Sequence, residues 1–167
     1  MYRYLLIIVS SIIILFCSCG DNGSEPVIPK VEITCNINGY INLSYSSSAV
    51  FTKTTGNNKY LVNASGTMYG DTNYKVLIAI VYPTSESKPG SFPIVSNPFE
   101  HNTPVVFAQF SLERNDSTLV FPADSGTVEV NEIDSRILKG SFWFSATEKN
   151  GSRKVSIQNG MLDIFNF

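Results

Sequence analysis

Alternation of apolar and polar residues is the feature that most constrains the fold of this chain. In residues 138 to 146 every even position is apolar or glycine, and the odd positions are polar apart from Trp143. Successive side chains of a strand point to opposite faces, so this pattern predicts a strand with one buried face. Similar runs recur at residues 31–37 and 105–112, and the chain is 12 % aromatic, which also favours strands.

We therefore expect a single all-β domain over residues 31 to 167, built from about nine or ten antiparallel strands. A two-layer β-sandwich is the first choice, and a closed antiparallel β-barrel is the alternative. Residues 19 to 167 suit one compact domain with a short tether, and no second domain is needed.

Turn residues predict where the strands end or change phase. Asn38-Gly39 is typical of a two-residue type I′ hairpin turn, and further turns are expected at residues 46–48 and 124–126. At Asn159-Gly160 the apolar positions change from odd to even numbers, which indicates a β-bulge. Residues 74–82 are apolar almost throughout, so we expect a central strand that is covered on both faces.

Residues 83 to 104 form the longest irregular stretch of the expected domain, with five prolines and one short strand predicted at residues 91–94. Long ordered loops often carry function. This loop contains the only histidine, His101, beside Glu100. A metal site needs three or four convergent ligands, so we interpret His101 as a solvated loop residue.

The N-terminus has the features of an export signal. One positive charge at Arg3 precedes a twelve-residue run, residues 5–16, that is apolar apart from two serines. A spanning helix needs about 20 apolar residues, so residues 1 to 18 are expected to be a signal peptide. Residues 20–30 hold two glycines and two prolines and are expected to be a flexible tether.

The end of this signal, Leu15 to Cys19, resembles the lipobox of bacterial lipoproteins. In that family a small residue precedes a cysteine that becomes the mature N-terminus, and Ser18 and Cys19 match these positions. The resemblance implies cleavage between them and attachment to the membrane through lipid on Cys19. By the same resemblance, Gly20 favours the outer membrane, with the domain facing the periplasm or the cell surface. Cys17 is the competing anchor, and an ordinary secreted protein or a short membrane anchor is the alternative.

The domain itself resembles a family of small bacterial lipoproteins that is classed only as a domain of unknown function. The resemblance lies in an early Asn-Gly hairpin, a Gly-x-Phe-x-Ile step at residues 90–94, and a closing hairpin at residues 140–146 and 155–162. It implies a cell-envelope lipoprotein with an all-β domain, and it brings no activity with it.

Charge and cysteine content narrow the function further. Residues 19 to 167 contain eleven basic and fourteen acidic residues, scattered singly, whereas a nucleic-acid partner would need a basic stripe. Cys35 is the one cysteine left for the domain, so no internal disulfide is expected. We interpret Cys35 as a buried, inert residue, and a reactive or metal-binding thiol is the alternative.

Catalytic motifs are missing from the sequence. One histidine in the whole chain rules out most nucleophilic and metal-assisted mechanisms, so we expect no enzyme, no cofactor and no metal. A hydrolase remains an alternative only if two carboxylates among Glu129, Glu132, Asp134 and Asp163 share a cleft.

Trp143 is the candidate binding residue. It lies on the strand face opposite Phe142 and Phe144, which predicts either an exposed aromatic platform or a residue covered by a loop or second sheet. The expected protein is a non-catalytic, lipid-anchored envelope protein that presents a binding or structural module. A carbohydrate-binding accessory lipoprotein and a lipocalin-like carrier of small ligands are alternatives, and the expected partners are a glycan or another envelope protein.

Overall fold

Nine antiparallel strands form the part of the chain that the computed structural model describes, residues 32–56, 59–84, 86–115 and 117–165. Within these ranges no helix is long and apolar enough to cross a membrane. A single 3₁₀ turn, Pro98–Glu100, is present in the same ranges. The strands are β1 (Glu32–Gly39), β2 (Leu43–Gly56), β3 (Lys59–Met68), β4 (Asn73–Tyr82), β5 (Gly90–Pro93), β6 (Val105–Arg114), β7 (Ser117–Ile133), β8 (Ile137–Thr147) and β9 (Lys154–Phe165).

The sheet closes on itself into an eight-stranded barrel. Its strands follow the order β7-β6-β4-β3-β2-β1-β9-β8, and β8 pairs again with β7. Strand β5 is an additional strand that pairs with residues 127–130 of β7. The predicted all-β antiparallel class is confirmed, and so is the closed barrel that was the alternative. The first choice, a sandwich, is wrong, because a sandwich leaves two separate sheets with free edges whereas β7 here joins both ends of one sheet.

Strand β7 closes the barrel because it is long and bent. Its residues 117–122 pair with β6, and its residues 123–133 pair with β8. The turn predicted at residues 124–126 is therefore wrong, since the chain bends there without leaving the sheet. The bend coincides with a register shift after Ala123 and with φ of +153° at Gly126. A Cβ atom at Gly126 would collide with the Trp143 carbonyl oxygen, so only glycine allows this approach of β7 to β8.

Large apolar side chains fill the barrel interior. Eight strands enclose a space that side chains can fill or that holds one small ligand. Aromatic rings of neighbouring positions pack together there, with ring centroids 5.8 Å apart for Phe110 and Phe121 on adjacent strands and 6.2 Å apart for Phe142 and Phe144 of β8. Each such buried side chain contributes about 1.5–3 kcal/mol. The largest fully buried side chains are Tyr45, Tyr82, Phe110, Phe121, Phe144, Ile33, Ile37, Ile78, Ile80, Leu138, Ile157 and Leu162.

Strand β2 runs through the predicted serine turn. Ser46 and Ser48 face the solvent, while Ser47 is buried on the inner face between Tyr45 and Ala49. The Ser47 hydroxyl forms a 2.9 Å hydrogen bond with the Tyr45 hydroxyl. The prediction of a turn was wrong because a buried serine that finds a hydrogen-bond partner is compatible with a continuous strand.

The first hairpin exists, but its turn differs from the prediction. Strand β1 pairs with β2 up to Ile37 and Leu43, so the connection is longer than two residues. Gly39 has φ of +116° and Asn38 does not have a positive φ, which excludes a type I′ turn at this pair. Gly39 instead pairs with Val155 of β9, where an added Cβ would lie 2.6 Å from the Lys154 carbonyl oxygen.

The irregular segment 83–104 contributes two side chains, Phe92 and Ile94, to the hydrophobic core. Its predicted short strand is confirmed as β5, one residue earlier than expected. The 3₁₀ turn contacts β6, and its Pro98 is buried. Residues 78–82 of β4 are buried on both faces, which confirms a doubly covered strand over the second half of the predicted range.

Candidate functional site

An open concavity of about 650 Å³ lies on the outer wall of the barrel where β7, β8 and β9 pair. Trp143 of β8 lies in it and is 52 % exposed. Cover by a loop or second sheet, which was the alternative for Trp143, is not observed within the described residues. We call this surface the wall site; it is lined by Thr127, Glu129, Ser141, Phe142, Trp143, Ser145, Ser156, Gln158, Asn159 and Gly160.

A bulge in β9 shapes the wall site. Phe142 pairs with Gly160 and Phe144 pairs with Ile157, so Gln158 and Asn159 together oppose the single residue Trp143. Asn159 has φ of +52°, as expected where an extra residue enters a strand. The predicted bulge is thereby confirmed, and its residues Gln158 and Asn159 line the wall site with Trp143.

Hydroxyl and amide groups surround the indole ring. Thr127 of β7 pairs directly with Trp143, and Ser145 pairs with Ser156 of β9. Side chains that pair in this way have Cβ atoms about 4.5–5.5 Å apart, which is within reach of one sugar-sized ligand. The Gln158 side-chain nitrogen donates a 3.3 Å hydrogen bond to the Ser156 hydroxyl. These groups both donate and accept hydrogen bonds around an apolar ring.

Glu129 is the one carboxylate among the described residues that line the wall site, and it pairs with Ser141. A glycosidase uses two carboxylates flanking the bond that it cleaves. The site therefore offers an aromatic face and hydrogen-bonding groups, and we derive no catalytic step from it.

The loop segment adjoins the wall site without lining it. In β5, Ser91 pairs with Glu129 and Pro93 pairs with Thr127, so β5 extends the same outer surface beyond β7. The lining residues nevertheless come from β7, β8 and β9 alone. Sequence reasoning pointed to both the loop and Trp143, and the structure places them on one surface with β7 between them.

The other predicted carboxylates lie apart from the wall site. Glu132 lies 3.5 Å from Lys139. Asp163 is opposite Lys139 in the strand register, and its Oδ1 atom is buried without a hydrogen-bond partner among the described residues. Asp134 accepts hydrogen bonds from the backbone N–H groups of Arg136 (2.6 Å) and Ile137 (2.8 Å). These bonds hold the pKa of Asp134 below its usual range.

Cys35 is buried in the barrel interior, as predicted, and is a free cysteine. Burial raises the pKa of its thiol to about 12, so the nucleophilic thiolate is scarce at neutral pH. His101 is exposed, and its backbone oxygen accepts a 2.6 Å hydrogen bond from Lys59. Groups of three or more potential metal-binding side chains are not found in the described residues.

Cys19, the predicted lipidation site, lies outside the described residues, as do the signal peptide and the tether. The chain matches no protein-family model, no curated protein and no solved structure. Its class is therefore defined by its own fold and site, an eight-stranded antiparallel barrel with a packed interior and an exposed tryptophan on its wall. Membership of the lipoprotein family of unknown function stays a prediction.

Proposed function

We propose that this chain is a non-catalytic, lipid-anchored protein of the bacterial cell envelope that binds glycans at the wall site. Lipid on Cys19 would hold the protein in the outer membrane, and the barrel would carry the binding surface. The exposed indole of Trp143 is the observation that carries the binding proposal.

An exposed tryptophan on a strand needs a reason, because large apolar side chains at the surface often mark binding sites. The face of a pyranose ring that carries C–H groups is apolar and flat, so it can stack on an indole. The hydroxyl groups at the ring edge then find Ser145, Gln158 and Glu129 as partners. The surface is neutral apart from Glu129, which favours an uncharged sugar over an anion.

The packed interior argues against the lipocalin-like alternative. A carrier of that kind holds its ligand inside the barrel. In this barrel Phe110, Phe121 and Phe144 are fully buried in the interior and occupy the space that such a ligand would need.

Titration with chitohexaose, xylohexaose and maltoheptaose, followed by amide NMR spectra, tests the binding proposal. At least one of these oligosaccharides should shift the amides of residues 141–145 and 156–160 and change the fluorescence of the single tryptophan. Trp143→Ala should weaken this binding at least about tenfold, while the free energy of unfolding changes by less than about 1 kcal/mol.

Tyr69→Ala is the matched control, because Tyr69 is 80 % exposed but lies in the turn between β3 and β4. This variant should bind as the unmodified protein does. If none of the three oligosaccharides shifts amides at the wall site at millimolar concentration, or if both variants bind equally well, glycan binding at Trp143 is wrong.

A further inference from the structure

A second opening lies at one end of the barrel. The turns after β1, β3 and β8 meet there with the turn between β6 and β7, around a space of about 440 Å³. Strand β1 begins at the other end, so the tether would join the barrel on the side away from this opening. We call the opening the barrel mouth; it is lined by Tyr40, Ile41, Thr72, Tyr74, Leu112, Arg114, Ser117, Leu119 and Arg153.

Stacked aromatic rings form the floor of the barrel mouth. Tyr40 stacks on Phe121 with ring centroids 6.1 Å apart, and Tyr74 stacks on Phe110 at 6.3 Å with planes only 8° apart. Phe110 and Phe121 are fully buried, and their ring centroids are 5.8 Å apart. The two tyrosine rings are thus held from below by the core, so a flat ligand would meet a surface that is already ordered.

Two guanidinium groups add positive charge to the mouth. Arg153 lies 4.7 Å from the centre of the Tyr40 ring and donates a 3.3 Å hydrogen bond to the Tyr40 hydroxyl. The Nε atom of Arg153 lies 3.6 Å from the Glu148 carboxylate. This ion pair fixes the Arg153 side chain and offsets part of its charge. The Arg114 side chain is exposed, and the described residues place no carboxylate within ion-pair distance of it.

We propose that the barrel mouth binds a small carboxylate attached to a flat ring system. The ring would lie on Tyr74 and against the Arg153 guanidinium, which covers the Tyr40 ring. The carboxylate would accept paired hydrogen bonds from Arg114. Planar guanidinium groups match carboxylates in this two-bonded geometry, which a lysine does not reproduce. Barrel mouths are common places for small-molecule sites, and this one combines an apolar floor with few polar groups.

The charges separate this ligand from the one proposed for the wall site. Among the described residues the mouth is lined by two arginines and no acid, whereas the wall site is lined by Glu129 and no base. An anion is therefore favoured at the mouth and an uncharged sugar at the wall. The proposal for the mouth does not depend on glycan binding at Trp143.

Binding of 2-naphthoate, compared with its uncharged analogue 2-naphthamide, tests the proposal on the unmodified protein. Amide NMR spectra should show 2-naphthoate shifting residues 40–42, 72–74, 114–119 and 153. The amide analogue should bind at least about tenfold more weakly, because it cannot form the charge-assisted pair.

Arg114→Gln should weaken 2-naphthoate binding at least about tenfold as well. Lys75→Gln is the matched control, since it removes the same charge from an exposed position of β4 that does not line the mouth. Circular dichroism spectra of both variants should match that of the unmodified protein. Equal affinity for the two probes, equal loss in the two variants, or shifts centred on Trp143 would each overturn the proposal.

Discussion

Three titratable groups in the barrel interior have raised pKa values because they are buried. Burial raises the pKa of Cys35 to about 12 and that of Tyr82 to about 12 as well, and it raises the pKa of Tyr45. The Tyr82 hydroxyl also donates a 3.0 Å hydrogen bond to the Lys88 carbonyl oxygen, a bond that needs the protonated form. Above about pH 9 the folded protein therefore keeps these groups neutral, whereas an unfolded chain would begin to ionise them.

We predict that the barrel loses stability as the pH rises from 9 to 12. Below pH 9 the Cys35 thiol is protonated in both states, so it adds no pH dependence there. Above that pH the unfolded chain gains free energy by ionising the thiol and the tyrosine hydroxyls, while the folded chain does not until about pH 12. Each such group lowers the free energy of unfolding by up to about 1.4 kcal/mol per pH unit.

Urea unfolding followed by circular dichroism at pH 8, 9.5 and 11 measures this loss. The urea midpoint should fall in that order, and Cys35→Ala should show a smaller fall between pH 8 and pH 9.5, since the thiol titrates first. Equal midpoints at pH 8 and pH 11 would contradict the prediction.

Single residues differ in how well the sequence predicts them. The outward direction of Trp143 and the burial of Cys35 both follow from strand alternation, because each residue has a definite parity within its run. The mouth residues Tyr40, Arg114 and Arg153 lie at three separate connections between strands and share no sequence pattern. Only the closure of the barrel brings them together, so local reasoning has no signal that finds them.

At the scale of the element, the bulge of β9 is the feature on which the proposed glycan binding depends. Asn159 holds φ of +52°, a conformation that costs most residues about 1–2 kcal/mol and β-branched residues more. We predict that Asn159→Val lowers the free energy of unfolding by about 1–2 kcal/mol. The altered bulge should also weaken oligosaccharide binding, because Asn159 lines the wall site.

Two control substitutions isolate the backbone effect in the same urea measurement. Asn159→Gly should leave stability within about 0.5 kcal/mol, since glycine adopts a positive φ readily. Asn36→Val, at an exposed position of neighbouring β1 that has an ordinary φ, should be tolerated as well. A loss of stability in Asn36→Val as large as in Asn159→Val would show that the φ angle is not the cause.

Strand boundaries can be predicted from the sequence where a turn must form. The prediction fails where a strand continues through residues that are typical of turns. The bulge was visible because apolar parity changes at residues 159–160. The serines of β2 and the Asp-Ser-Gly step of β7 looked like turns, yet both strands continue through them. In β2 the buried Ser47 forms a hydrogen bond with Tyr45, so the strand can continue through the serines. In β7 the strand bends at Gly126 and stays in the sheet.

At the scale of the whole molecule, closure of the sheet was beyond local sequence patterns. Sandwich and barrel share alternating strands and short turns, and they differ in whether the first and last strands of the sheet meet. Here the barrel closes because β7 pairs with β6 and then with β8. These are long-range contacts, which the periodicity of a single strand does not encode.

Closure also sets where the barrel mouth would lie relative to the point of membrane attachment. The described chain begins at Glu32, at the barrel end opposite the mouth. Residues 20–31 would span at most about 40 Å if fully extended. Lipid on Cys19 would therefore hold the Glu32 end within about 40 Å of the bilayer, with the mouth at the opposite end of the barrel.

We predict that this anchoring depends on Cys19 and not on Cys17. Each buried methylene of an acyl chain adds about 0.8 kcal/mol of membrane affinity, and stable attachment needs more than one chain. Cys19→Ala removes the proposed acceptor for these chains, so cells fed radioactive palmitate should leave the variant unlabelled and salt should wash it from the membrane fraction. Cys17→Ala, a matched change two residues away, should keep both the label and the membrane attachment. Labelling of Cys19→Ala, or loss of label in Cys17→Ala alone, would place the anchor elsewhere and contradict the proposed attachment.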